Sequence, residues 1–581
     1  MAWFKGTSTD YHDFLDILKS LVKDDHISVT AVLNGGIDYA IGDTITLAGG
    51  TKSHEPEFEV VSIDGGDYVT VAAVSAGGTL YNIGDKLILA TGTYSVAPDI
   101  EVLTLSGSAV ATVQINNPGI CSAQPTNPVA TTTGGAGSGC TLNLTFVAGT
   151  GIVNGVHISD SGVYTAQAAN PVSQNTSSGA GTGAKFTVTY TDTAWETLID
   201  WESDAASAVA IAVAGTGYLA GDYVTVVGGA FAAATVVKID TVSSGVPTAI
   251  SVYDDGDYKT TPSNPAATSG GTGSGLTVTV TWATHPSEVK YLMLHNTGSD
   301  QYLGCRAFTQ STPDAAYLLE WNGFTGFSSD VMPWDQHPGA LSYPETYTPL
   351  SGGASPATIT YWIAVDDDRI CGAFKVGSVY PNFYIGGIDK FLNATEYSYP
   401  QVILGCSAEE VPYNYAGVDY AGMTNPGSAG PSDDGPGYLR SPDGTMLVIR
   451  NWYLYRGNPS YYDADVKIAP AGGCEWPVPA GANGWYDEYY VNWQWMFGTA
   501  TSIAAGFDAL KRINDEYILI PATLSHLANN RIYGNLIGVF TFNPDGAIDS
   551  EDRIYIGTSV YRCFQNCNKA NRNYFFCIKE D

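Results

Sequence analysis

The chain has 581 residues, of which 58 are acidic and 25 basic, for a formal net charge of −33. A chain this long holds several domains. With 44% hydrophobic and only 14% charged residues it has the composition of a folded protein rather than a disordered one. A surface this acidic repels phosphates and no Lys/Arg-rich run offsets it, which argues against nucleic acid as a partner; the sequence also has no apolar run of membrane-spanning length.

The opening Met1-Ala-Trp-Phe-Lys-Gly6 lacks the apolar stretch of a secretory leader. Residues Thr9 to Asp25 then read as an amphipathic helix. Tyr11, Phe14, Leu15, Leu18, Leu21 and Val22 recur at three- and four-residue steps, and Thr9 is placed to cap its start. That apolar stripe suits packing on its own domain or against copies of itself, so residues 1–26 are expected to serve attachment or oligomerisation.

From residue 27 the sequence repeats. One unit runs Val32-Leu-Asn-Gly-Gly-Ile-Asp-Tyr39-Ala-Ile-Gly42-Asp43 into Thr44-Ile-Thr-Leu47. It returns around Tyr81-Asn-Ile-Gly84-Asp85 and again around Tyr218-Leu-Ala-Gly221-Asp222. A second unit carries Asn-Pro, a Gly-rich loop and an alternating strand: Asn127-Pro128 with Gly134 to Gly139, Asn170-Pro171 with Gly179 to Gly183, and Asn264-Pro265 with Gly270 to Gly275. Calling the units A and B, their order is A, A, B, B, A, B. Tyr81 and Asn127 are 46 residues apart, and so are Tyr218 and Asn264. Alternation such as Thr277-Val-Thr-Val-Thr-Trp282 predicts half-buried strands, Gly-Asp predicts tight turns, and the Tyr three residues before each Gly is expected to anchor its turn on the core. The expected segments are β repeats at 27–148, 149–206 and 207–283, then a β-rich globular domain at 284–581. The fold class is therefore mainly β: tandem small antiparallel modules after an N-terminal helix, followed by a larger aromatic-rich, β-sandwich-like domain.

Eight of the twelve tryptophans lie beyond residue 300. Ile359 to Val365 and Arg369 to Val379 read as strands joined by the Asp366-Asp-Asp368 turn, and Phe383 to Gly387 and Tyr397 to Leu404 continue the sheet. A Gly/Pro/Ser-rich loop is expected between Asn414 and Tyr438, and a short helix near Ile503 to Ile513.

Chemistry is hard to find. The histidines at 12, 26, 54, 157, 285, 295, 337 and 526 never fall at metal-ligand spacing, and neither a nucleophile elbow nor a phosphate-binding loop is present. Gly270 to Gly275 resembles a dinucleotide fingerprint only superficially, because a strand rather than a helix follows; a flexible hairpin tip is expected. Acid pairs at Asp254-Asp255, Asp366-Asp-Asp368 and Asp433-Asp434 read as solvated turns, and Asn543 to Asp552 reads as a turn rather than a calcium loop. Exposed aromatics can stack on sugars, though core filling is the ordinary use. Cys563, Cys567 and Cys577 leave three options: a zinc site short of a ligand, buried thiols, or cross-links between subunits. No catalytic, cofactor-binding or metal residue is assigned, and no cofactor is expected.

The Gly-Tyr-x-x-Gly-Asp units together with the Asn-Pro and Gly-Thr-Gly-Ser-Gly units resemble β repeats of tail, tail-fibre and baseplate proteins of tailed bacteriophages. The stretch from Tyr361-Trp-Ile-Ala-Val-Asp366 through Lys375-Val-Gly-Ser-Val-Tyr380 and Tyr384-Ile-Gly-Gly387 to Tyr397-Ser-Tyr-Pro400 resembles segments of the same class, as does Val560-Tyr-Arg-Cys-Phe-Gln-Asn566 with Arg572-Asn-Tyr-Phe-Phe576. The resemblance implies a non-enzymatic virion protein made in the host cytoplasm. Its implied partners are other virion structural proteins, further copies of itself in a homotrimer, and a host surface glycan. A head or collar decoration fibre, a carbohydrate-binding adhesin and a polysaccharide depolymerase are the alternatives.

Overall fold

The computed structural model describes residues 1–23, 25–284, 290–309, 317–329, 337–340, 346–351, 358–376, 380–391, 400–405, 437–440, 446–449, 466–469, 516–526, 531–542, 548–565 and 575–580. The chain is mainly β, with one helix near the N-terminus and several antiparallel sheets. It divides into two compact units. One comprises Met1, Lys5–Lys23 and Thr193–Asp581; the other comprises Ala2–Phe4 and Asp24–Asp192. The expected loop at 414–438 (all but its last two residues), the expected helix at 503–513, Asp433-Asp434, His285 and Cys567 lie outside the described residues.

The order A, A, B, B, A, B has a simple structural meaning. In the Asp24–Asp192 unit the first A pairs with the second B, since strand His26–Ile37 runs antiparallel to Thr182–Thr191, with Val32 opposite Phe186. The second A pairs with the first B: Thr79 stands opposite Ser138 and Val74 opposite Leu142. One copy of the module is thus nested inside another. The outer copy uses residues 26–64 and 151–191, and the inserted copy occupies 67–148. A third copy, uninterrupted, is the eight-stranded sheet formed between Asp204 and Thr284.

The expected division at 148/149 therefore needs correction. It cuts through strand Ser138–Asp160, which pairs with Glu57–Thr79 from end to end. The first halves of these partners belong to different copies, and residues 149–191 complete the outer copy rather than forming a module of their own.

The three copies share backbone hydrogen bonds at matching positions. The backbone N–H of Tyr39, Tyr81 and Tyr218 donates to the carbonyl of Gly151, Ser108 and Gly245, at 2.9, 3.0 and 3.0 Å. Each copy has its own core, with Tyr39, Ile45, Phe58, Val60 and Phe186 in the outer one. The inserted copy has Tyr81, Leu87, Ile100, Val102 and Leu142, and the third has Tyr218, Val224, Val237, Ile239 and Val278. Alternation puts every second residue of each strand into these small cores and leaves its neighbour to solvent.

In the other unit the helix spans Tyr11–Lys23. Its cap is Asp10 rather than the expected Thr9: Asp10 Oδ1 accepts the N–H groups of His12 and Asp13, both at 2.9 Å. Asp13 reaches back to accept the Thr9 N–H at 2.7 Å, completing a reciprocal cap. Tyr11, Phe14, Leu15, Leu18, Leu21 and Val22 are all buried within the chain; Phe14 meets Phe374 edge-on at 4.7 Å and Tyr361 at 5.9 Å. The stripe is consumed inside its own unit, the first of the two packings expected for it. The local reason is that later strands, distant in sequence, supply the intrachain partners.

Those strands form two sheets. A five-stranded one runs in the order Trp195–Glu202, Lys290–Asn296, Gln301–Thr309, Tyr317–Phe324, Thr346–Ser351. The larger one contains Ile359–Val365, Arg369–Lys375, Asn382–Gly386 and Gln401–Leu404 as successive antiparallel neighbours, as read from the sequence. Trp321 stacks on Phe383 with ring centroids 4.1 Å apart, and Gly323 leaves the room that Ile403 and Gln401 fill, so the two sheets pack face to face.

Candidate functional site

The Tyr, Gly-Asp and Gly-rich segments that recur in the sequence come together in each module. After the tyrosine the chain makes a four-residue turn closed by aspartate. Asp43, Asp85 and Asp222 accept, on Oδ2, the N–H of Ala40, Asn82 and Leu219 at 2.9, 2.9 and 3.0 Å. The preceding glycines stand at φ of 90, 91 and 92°, left-handed backbone that costs a side-chain-bearing residue about 1–2 kcal/mol. Hydrogen bonds from Leu219 and Thr272 hold the Asp222 carboxyl below its ordinary range. The tyrosine rings are buried as expected, and the hydroxyls of Tyr39 and Tyr81 accept the N–H of Ala184 and Cys140 at 3.3 and 3.2 Å.

The Gly-rich loops are the seats of these tyrosines. A Cβ on Gly181, Gly137 or Gly273 would lie 2.1, 2.4 or 2.5 Å from the ring of Tyr39, Tyr81 or Tyr218. Two residues on, Gly183, Gly139 and Gly275 adopt φ of 84, 81 and 81°. A packed ring thus explains the first glycine of each Gly-x-Gly and a left-handed backbone the second.

The Asn-Pro pairs are equally local. Asn127, Asn170 and Asn264 each donate Nδ2 to the carbonyl of Leu144, Val188 and Val280 at 2.6, 2.8 and 2.7 Å. Each also accepts the N–H of the same residue on Oδ1 at 2.9 Å. The side-chain amide stands in for a strand neighbour where the backbone turns away. All three Asn-Pro bonds are cis.

The remaining candidates are scattered. His12 lies against Tyr11 on the helix, and His337 is buried against Phe327. His26 is buried beside Phe4, and burial lowers its pKa to about 4. His54 Nε2 pairs with Asp160 Oδ2 at 2.8 Å. His295 is set between Glu196 at 2.7 Å and Asp300 at 2.9 Å and stacks on Tyr302. Burial opposes its charge, but the two carboxylate hydrogen bonds carry its pKa above the usual value. Among the described residues no three His, Cys, Asp or Glu side chains converge as a metal site. Nor is any described helix long and apolar enough to cross a membrane.

Asp549 to Asp552 proves to be a fourth example of the aspartate-closed turn; the type I turn expected just before it at Pro544-Asp-Gly546 lies outside the described residues. Asp552 Oδ2 accepts the Asp549 N–H at 2.8 Å, the Glu551 N–H reaches the Cys563 carbonyl at 2.7 Å, and Cys563 N–H returns to Asp552 at 2.8 Å. The position filled elsewhere by glycine is Glu551, at φ 79°. Its carboxylate accepts Lys375 and, at 2.6 Å, the Tyr380 hydroxyl. The common signal is Asp three residues after the turn's first residue, masked here by the missing glycine.

Among the described residues most large aromatics are core, Trp3, Trp201 and Trp321 among them. In the third copy Tyr223, Phe231 and Tyr253 are exposed, and Tyr223 and Tyr253, 45% and 65% exposed, pair with ring centroids 4.5 Å apart. Tyr223 stands opposite Lys238 in the third copy as Lys86 stands opposite Glu101 in the inserted one, where Lys86 pairs with Asp99 and Glu101. Tyr223 therefore stands where the inserted copy has a paired lysine and the outer copy has Thr44.

No family model matches the chain, and no curated protein matches it.

Proposed function

We propose that this chain is a structural component of a tailed-bacteriophage particle, in the tail, baseplate or tail fibre, that works by assembly and host attachment rather than by catalysis. The observation that carries the reading is the threefold use of one small β module whose recurring residues are all committed to holding the fold. Tyrosine seats, aspartate turns and asparagine clamps are building hardware, repeated because a scaffold needs repeated parts. In this reading the protein is made in the host cytoplasm, joins other virion proteins, and is built in as a homotrimer. Two measurements test it. A mass-spectrometric inventory of purified particles, with immunogold labelling, must find the chain on the tail. Light scattering after size exclusion must give three times the 61.3 kDa chain mass, and a lone monomer at high concentration refutes the trimer.

A second reading, a carbohydrate-binding adhesin, draws on the exposed Tyr223–Tyr253 pair, whose ring faces suit the apolar face of a sugar. Glycan-array binding that disappears in Tyr223→Ala and Tyr253→Ala supports it; binding indifferent to both changes removes it.

A further inference from the structure

The C-terminal strands Ser559–Gln565 and Phe575–Lys579 pair antiparallel with Cys563 directly opposite Cys577. The hydrogen-bond phase of this ladder is fixed by its neighbours. Cys563 spends both its N–H and its carbonyl on the other side, toward Asp552 and Glu551. Three residues along, the Glu580 N–H donates to Val560 at 2.9 Å. Alternation then makes 560 and 562 narrow positions and puts Cys563 and Cys577 at a non-hydrogen-bonded one. At such a position opposed Cα atoms stand about 4.5 Å apart and the side chains lean toward each other. A disulfide spans Cα separations of roughly 4.4–6.8 Å, so the bond can close with little backbone movement.

Both side chains are fully buried in one cluster with Tyr517, Phe542, Ile554 and Phe575. Of the other described cysteines, Cys121 faces Asp67 and Tyr94, Cys140 faces Gly77, Cys305 faces Leu292 and Trp321, and Cys371 faces Ala364 and Tyr384. Register thus opposes cysteine to cysteine at this one place among the described residues. For Cys563 and Cys577 this burial favours pairing within the chain over cross-links between subunits, one of the three options the sequence leaves.

We propose that Cys563 and Cys577 are an intrachain disulfide site that locks the last two strands of the chain together when the protein meets an oxidising medium. The chemistry is two thiol–disulfide exchanges with a small-molecule disulfide. One thiolate attacks it, releasing one small thiol and leaving a mixed disulfide; the second thiolate then displaces the other small thiol and forms the Cys563–Cys577 bond. Two protein thiols are oxidised as one disulfide is reduced to two thiols, and no other reactant enters. Burial and the neighbouring Cys563 push the Cys577 thiol well above its usual pKa, so thiolate is scarce in the folded state. Closure is therefore fastest while these strands are still docking. The inference stands whether or not the chain belongs to a virion.

The test is to refold the full chain with oxidised glutathione, block remaining thiols with one alkylating reagent, then reduce and label with a second. Peptide mapping is expected to show the second label on Cys563 and Cys577 of protein that runs as a single chain on a non-reducing denaturing gel, with a linked peptide in the unreduced digest. Amide exchange in 559–565 and 575–579 is expected to slow by on the order of tenfold on oxidation and to recover on reduction. The double variant Cys563→Ser/Cys577→Ser is expected to lose that response. First-label alkylation of both thiols, or linkage of either to a different cysteine or to a second chain, overturns the proposal. If the double variant fails to fold, the wild-type map alone decides.

Discussion

The reading of the Gly-rich loops can be tested within one hexapeptide, Gly134-Gly-Ala-Gly-Ser-Gly139, where three glycines face three different physical situations. Alanine at Gly137 places a Cβ 2.4 Å from the buried Tyr81 ring, so the ring must move. Overpacking of this kind costs about 1–3 kcal/mol. Displacing the ring also removes its hydroxyl from the Cys140 N–H, 3.2 Å away, for about 1 kcal/mol more. Alanine at Gly139 meets nothing closer than Gly78 at 3.6 Å, but its φ of 81° costs about 1–2 kcal/mol. Alanine at Gly134 has open space and no left-handed backbone, and by narrowing the unfolded ensemble it is expected to be neutral or to stabilise by up to about 1 kcal/mol. The expected order of damage is Gly137, then Gly139, then Gly134. Because the chain holds several cooperative units, the readout is amide exchange in peptides covering 81–89 and 138–144 of the full-length protein, which reports the inserted copy by itself. Equal effects at the three sites, or the largest at Gly134, would refute the tyrosine-seat argument and restore a loop selected for mobility or ligand contact.

At Glu551 the fold and the contact pull against each other. Glu551→Gly relieves left-handed strain while losing Lys375 and Tyr380, so it is expected within about 1 kcal/mol of wild type; Glu551→Ala keeps the strain and loses the contacts, and is expected to fall about 1–2 kcal/mol below it, by denaturant melts followed with exchange in 559–565. Asn264→Ala leaves the N–H and carbonyl of Val280 to water at the sheet edge and is expected to cost about 1–2 kcal/mol, read as faster exchange in 274–284, whereas Asn264→Asp sets an acceptor against the carbonyl and costs at least as much. For His26, burial drops the pKa from 6.5 to about 4, so the unfolded chain takes up the proton first as pH falls. The stability of the Asp24–Asp192 unit that depends on this residue is complete above pH 6.5 and declines toward pH 4 by up to about 3 kcal/mol, and His26→Asn is expected to flatten that part of the melting profile.

How much of this was legible depended on whether the determining interaction was local. Strands, aspartate turns and the buried tyrosines follow from alternation and from Gly-Asp chemistry within a few residues, and they were read correctly. The helix was found, yet its cap was placed one residue early, because Thr9 and Asp10 both suit the position and only the reach of Asp13 back to Thr9 chooses between them. Where the helix stripe goes was not readable, since Phe14 packs on Phe374 and Tyr361, more than three hundred residues away. The ring seat at the first glycine of Gly-x-Gly was likewise not readable, because a ring arriving from another strand leaves no mark on the loop's own sequence. The turn at Asp549 was missed for the converse reason: its glycine is replaced by a glutamate that a distant lysine and tyrosine justify.

The nested copy shows why spacing carried more information than similarity. Tyr39 and Asn170 are 131 residues apart, against 46 in the other two copies, and the excess is the inserted module. It sits where the third copy closes a hairpin between Val236–Ser243 and Val246–Asp254 with Ser244 and Gly245. Adjacent strands end about 5 Å apart. The first and last strands of the inserted copy are themselves paired neighbours, Val69 opposite Phe146 and Asp67 opposite Ala148, so their ends present the same separation. Two ribbons of equal width join end to end without a linker, and the hydrogen bond from the tyrosine N–H to the residue after the tip is preserved, to Gly151 in the outer copy as to Gly245 in the third. The outer copy gives up only the closure of a hairpin, a loop-entropy term that grows slowly with the length of what is inserted. A module whose two ends leave as neighbouring strands is thereby able to lengthen a chain by insertion as readily as by tandem repetition, and this sequence has done both.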